Sequence, residues 1–189
     1  MRVSSISHAQ VLETGKPFSI EFEVENTQAT ICSVTPDMPA LVTDQWKSWP
    51  VQASLFPGEI HSFEIQVNLP AETLAGPLGL EVVLDLGAEY APLTVAIEAN
   101  VAAHFTTELS VAPRRLAKGS KAKVKATISN LGNKEISLGV AASDPAGELS
   151  FEVEPDAALI APGSESTFRV VARRRRPFAG SPLPREFQV

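Results

Sequence analysis

The chain has 189 residues, 44% of them hydrophobic, and a formal net charge of −6. That apolar content argues for a folded core rather than a disordered chain, and the length suits two sandwich domains of roughly 100 residues each. Its single cysteine, Cys32, excludes an intrachain disulfide and any multi-cysteine zinc site.

The N-terminus, residues 1–8, lacks the apolar core of a signal peptide. No run approaches the ~18 apolar residues of a membrane span. A cytoplasmic or assembly-associated location is therefore expected, unless the chain is a piece of a longer protein. The first clear element follows Gly15. Ile20, Phe22 and Val24 alternate with Glu21, Glu23 and Glu25, which predicts a strand with one apolar and one solvated face. Gly15 before it and Asn26 after it suit turns that need positive φ. Cys32, beside Ile31, fits a small buried hydrophobe. Trp46 and Trp49 precede Pro50; Trp46 aligns with Phe151, a shared packing position, Trp49 aligns with Glu154, which suits an exposed side chain, and core or partial burial of the pair is favoured over a sugar-stacking platform. Pro57-Gly58 marks a turn, and Phe63, Ile65 and Val67 begin another alternating strand. Residues 93–97 give a further strand candidate, and a short join follows near residues 100–104. Fifteen prolines and eleven glycines interrupt most windows of helical length, so no amphipathic helix is expected.

After the join the pattern recurs. Residues 119–130 repeat residues 15–26: Gly119 matches Gly15, Val124, Ala126 and Ile128 match Ile20, Phe22 and Val24, and Asn130 matches Asn26. One residue is then gained. Phe151 falls on Trp46, Pro155 on Pro50, Ile160 on Leu55, Pro162-Gly163 on Pro57-Gly58, and Phe168 and Val170 on Phe63 and Ile65. The expected architecture is all-β, with two tandem immunoglobulin-like β-sandwich domains, residues 1–100 and 101–189. Leu84 aligns with Val189, so the second copy is expected to lack its last strand. A continuing natural chain is favoured over a strand supplied by a partner through β-augmentation.

The two copies differ in charge. Residues 1–100 carry 3 basic and 13 acidic residues, and residues 101–189 carry 13 basic and 9 acidic ones. Glu21, Glu23 and Glu25 form an acidic stripe with spacing too wide for a calcium cage. Lys121, Lys123 and Lys125 form a basic stripe on the matching strand. The run Arg173, Arg174, Arg175 and Arg176 is the strongest charge cluster, suited to an acidic protein face. Nucleic acid is disfavoured by the overall acidity and the lack of interleaved stacking aromatics.

The second copy reads Asn130-Leu131-Gly132-Asn133, Ser143-Asp144-Pro145, Pro155, Pro162-Gly163, the arginine run with Pro177, and Phe187-Gln188-Val189. The first copy keeps Trp49-Pro50 and Pro57-Gly58 but lacks the Asn-x-Gly-Asn turn and the basic run. In this pattern the chain resembles bacterial tandem immunoglobulin-like β-sandwich repeat proteins, similar to modules attached to glycosidases and to large surface or assembly proteins. The resemblance implies a non-enzymatic structural or protein-interaction module, part of a larger protein or bacterial assembly such as a phage-tail-like contractile injection particle. The alternative is a carbohydrate-binding accessory module, with Trp49 as the candidate platform.

No nucleophile elbow, Walker A loop, dinucleotide fingerprint or zincin helix is present. His8, His61 and His104 are far apart and show no ligand spacing. No enzyme activity, cofactor or metal is expected. Protein partners are, including self-association through the oppositely charged domains.

Overall fold

Alternation of apolar and polar residues decides where the strands lie and which way each side chain points. The computed structural model describes residues 1–8, 10–42, 44–113, 121–174 and 188. Among them there is no helix, and hence none long and apolar enough to cross a membrane, which says nothing of a β-barrel. The chain divides into two compact units, Met1–Ala103 and His104–Val189.

The first unit contains β1 (Arg2–His8), β2 (Val11–Leu12), β3 (Pro17–Glu25), β4 (Cys32–Asp37), β5 (Trp46–Trp49), β6 (Ala53–Leu55), β7 (Ile60–Asn68), β8 (Gly76–Asp85) and β9 (Leu93–Val101). One sheet runs β1-β3-β7-β5 and the other β2-β9-β8-β4-β6. All pairings are antiparallel except β2 with β9. The chain leaves the first sheet after β1 and joins the second as β2, so a single N-terminal segment edges both. Two such sheets face to face make an immunoglobulin-like sandwich. Between them lie Ile20, Phe22 and Val24 of β3, Phe63, Ile65 and Val67 of β7, and Leu80, Val82 and Leu84 of β8, all buried. The rings of Phe22 and Phe63 stack with centroids 5.5 Å apart.

The second unit contains β10 (Thr107–Ala112), β11 (Lys121–Asn130), β12 (Ile136–Leu138), β13 (Leu149–Glu154), β14 (Ala158–Ile160) and β15 (Glu165–Arg174). Its four-stranded sheet, β10-β11-β15-β13, reproduces β1-β3-β7-β5 strand for strand. The pair β12-β14 reproduces β4-β6. Val124, Ala126, Ile128, Ile160, Phe168 and Val170 form its buried core. Gln188 exchanges two backbone hydrogen bonds of 2.9 Å with Ser143. The remaining residues that would bear on the last strand of this unit, like most of the phenylalanine-valine end of the family pattern, lie outside the described residues.

The repeat is held by one device, used twice. Asn26 is fully buried, and its Nδ2 donates to the carbonyls of Thr30 and Leu55, each at 2.8 Å. Its Oδ1 accepts from Gln28 N at 2.9 Å. Asn130, equally buried, donates to Lys134 O and Ile160 O at 2.9 Å and accepts from Gly132 N at 3.0 Å. The backbone follows suit: Gly58 N donates to Asn26 O, and Gly163 N to Asn130 O. Gly58 and Gly163 take φ of 79° and 69°, a conformation that favours glycine. Sequence reasoning gave the two asparagines the wrong task. Neither has positive φ; each ties the end of its strand to the next sheet, because a buried amide must find partners for both donor hydrogens and its acceptor. Beyond β5 and β13 the peptides Trp49-Pro50 and Glu154-Pro155 are both cis, at equivalent points of the repeat.

Candidate functional site

Each four-stranded sheet has one face on the core and one turned outward. On β3 the inward residues are Ile20, Phe22 and Val24, so Glu21, Glu23 and Glu25 turn outward. Register then fixes their neighbours. Glu21 sits between Ser7 of β1 and Glu64 of β7, and Glu64 sits opposite Trp49 of β5. The row across the sheet therefore reads Ser7, Glu21, Glu64, Trp49. Two carboxylates directly opposite each other repel. Ser19 Oγ donates to Glu64 Oε1 at 2.6 Å, which relieves Glu64 in part. Ser4 Oγ lies 3.4 Å from Glu23 Oε2, and Arg2 pairs with Glu25 at 2.7 Å. Of the acidic stripe, Glu21 is the member without such a partner among the described residues.

Trp49 is 49% exposed, whereas Trp46 is partly buried against the core. Core or partial burial is the expectation for the pair, and the alignment of Trp49 with Glu154 already points to exposure of Trp49. The reason they part is parity: Ser48 points inward, so Trp49 points outward. Beside Trp49 runs an open groove of about 400 Å³, lined by Ser7, Glu21, Glu23, Ser62 and Glu64. A second groove, about 550 Å³, lies by His8, Gln10, Glu98 and Asn100 and gathers no nucleophile with a base.

The second unit shows the same face with the opposite charge. Lys121, Lys123 and Lys125 alternate outward along β11. Register sets Lys121 opposite Arg173, Lys123 opposite Val171 and Lys125 opposite Arg169. Val171 is buried although it stands on the outward parity, so along β15 an apolar residue separates Arg169 from Arg173. On the edge strand β13, Glu152 pairs with Arg173 at 2.6 Å and Glu154 with Arg169 at 3.5 Å. Both pairs are more than half exposed and are worth little to stability.

The structure thus brings Glu21, Glu23, Glu25 and Trp49 onto one face, and Lys121, Lys123, Lys125 and Arg173 onto another. Arg174 closes β15, and Arg175 and Arg176 lie outside the described residues, so the four-arginine cluster is not placed as a unit. Glu64 and Arg169 were missed by sequence reasoning. Their signal was present: each lies between two buried residues of an alternating strand, Phe63 and Ile65 or Phe168 and Val170. Among the described residues no group of three or more His, Cys, Asp or Glu side chains is placed to hold a metal ion. Cys32 is buried, and desolvation pushes its thiol above the usual range.

No protein family and no curated protein matches the sequence. Solved structures do resemble it. A protein of unknown function from Porphyromonas gingivalis W83 is 14% identical, over 92% of this chain and 82% of that one, with a TM-score of 0.41. The YadV chaperone is 12% identical, over 90% and 85%, with a TM-score of 0.35. The Pseudomonas aeruginosa CupB2 chaperone is 11% identical, over 95% of both chains, with a TM-score of 0.33. At such identities and scores these likenesses carry no assignment of what this chain binds or does.

Proposed function

We propose that the chain is a structural protein-interaction module without catalysis of its own. It works by offering the outward faces of two equivalent sheets to protein partners, within a larger protein or assembly. One observation carries this. At the same register positions of the repeat, the first unit places Glu21 opposite Glu64 and the second places Lys125 opposite Arg169. Like charges held side by side cost a folded sheet stability, and a partner of opposite charge offsets that cost. Complementary charge sets orientation and partner choice more than raw affinity.

The test is a paired capture from extract of the native host. Bait chains are wild type, Glu21→Gln with Glu64→Gln, and Lys125→Gln with Arg169→Gln. A foreign protein held by wild type and lost from one face variant, yet kept by the other, supports the proposal, and so does a second copy of this chain held by wild type and in smaller amount by each variant. Equal capture by all three, or none by any, refutes it.

A second reading has its own observation. Trp49 is exposed beside Ser7, Ser62 and Glu64, the setting a sugar-binding platform uses. A glycan bound by wild type and lost in Trp49→Ala would favour a carbohydrate-binding accessory module.

A further inference from the structure

The two outward faces match each other in more than net sign. The repeat supplies the correspondence: Glu21 of β3 stands where Lys125 stands on β11, Glu64 of β7 where Arg169 stands on β15, and Trp49 of β5 where Glu154 stands on β13. Both sheets have the same strand order. Their outward side chains therefore sit on the same lattice, roughly 6–7 Å apart along a strand and about 5 Å between strands. At the two central positions of that lattice, one face carries carboxylates and the other cations.

We propose that the acidic face of the first unit docks the basic face of the second unit in another copy of this chain. The proposal rests on the protein-interaction reading above and names the partner of those same faces. Glu21 and Glu64 receive Lys125 and Arg169, which removes two like-charge contacts at once. Trp49, half exposed at the rim of the groove, takes a guanidinium from the incoming β15 over its ring. A neutral sugar would leave the Glu21 and Glu64 repulsion in place, whereas a cationic face relieves it.

The intact chain is followed by sedimentation velocity over concentration and salt, beside two charge-reversed variants. One is Glu21→Lys with Glu64→Lys; the other is Lys125→Glu with Arg169→Glu. Wild type is expected to self-associate, at least about tenfold more weakly as salt shortens the screening length from about 10 Å at 0.1 M to about 3 Å at 1 M. Each variant alone is expected to stay monomeric, and an equimolar mixture of the two to associate, because reversed faces again find opposites. Trp49→Leu is expected to weaken association about 2- to 30-fold, with part of the loss restored in Trp49→Phe. Circular dichroism melts check that the variants are folded.

Wild type that stays monomeric throughout overturns the docking, and so does a mixture of folded variants that fails to associate. Association that is unchanged in both variants, or a glycan bound at Trp49 with no self-association, overturns it too. None of these results decides the capture experiment, in which a foreign protein held through either face leaves the broader function standing.

Discussion

Asn26 and Asn130 make the same three side-chain bonds at equivalent points of the two units. Each supplies both amide hydrogens and its carbonyl oxygen to backbone groups, one of which, Leu55 O or Ile160 O, is met in the buried interior. Replacing either by alanine takes the side-chain donor from one buried carbonyl and removes two part-buried bonds, and the expected loss is about 1–3 kcal/mol in a urea titration. The loss at Asn26 should match that at Asn130, since the bond lengths agree within 0.1 Å. Cys32 presents a different case. Its thiol donates toward Leu86 O at 3.4 Å, and burial raises its pKa in the folded chain. The neutral thiol's contribution is therefore whole below the pKa of an unfolded thiol and fades as pH rises through the folded value. Wild type should lose melting temperature relative to Cys32→Val across that alkaline window, and thiol reagents should label Cys32 slowly at neutral pH.

Strands are where the sequence spoke most clearly. Alternation around Ile20, Phe22 and Val24, and around Val124, Ala126 and Ile128, assigned β3 and β11 to their correct faces, and Pro57-Gly58 and Pro162-Gly163 marked real turns. Period two is a local property, so a single chain shows it. Pairing is not local, and nothing in residues 19–25 reveals that Glu64 lies across from Glu21. Trp49 is a different case: its four-residue edge strand is too short to display a period, but its alignment with Glu154 in the repeat pointed to the exposure that parity gives it. At this scale the outward row is open to test. Glu21→Gln removes one member of a like-charged pair and should raise stability by about 0.2–1 kcal/mol, read from denaturant midpoints. On the inward side, Phe22→Ala removes a stacked ring from a sealed core and should cost about 3–5 kcal/mol.

For the whole molecule, the first core and the second have no residue in common. Phe63→Ala should thus weaken amide protection in the first unit while the strands β11 and β15 stay protected, as native-state hydrogen exchange would show. Sandwich architecture alone names no activity, because such folds host many; what distinguishes this chain is the inversion of charge between matched rows, Glu21 with Glu64 and Lys125 with Arg169. A contact between two unlike faces has an end that stays open. Each copy that joins hides one face and offers the other, so growth stops only when a ring closes or the supply runs out. A chain with a single reversed face would then act as a stopper: it could add to a growing row once, and the row would go no further on that side. Small amounts of such a chain, mixed into wild type, should shorten the rows in proportion to its share.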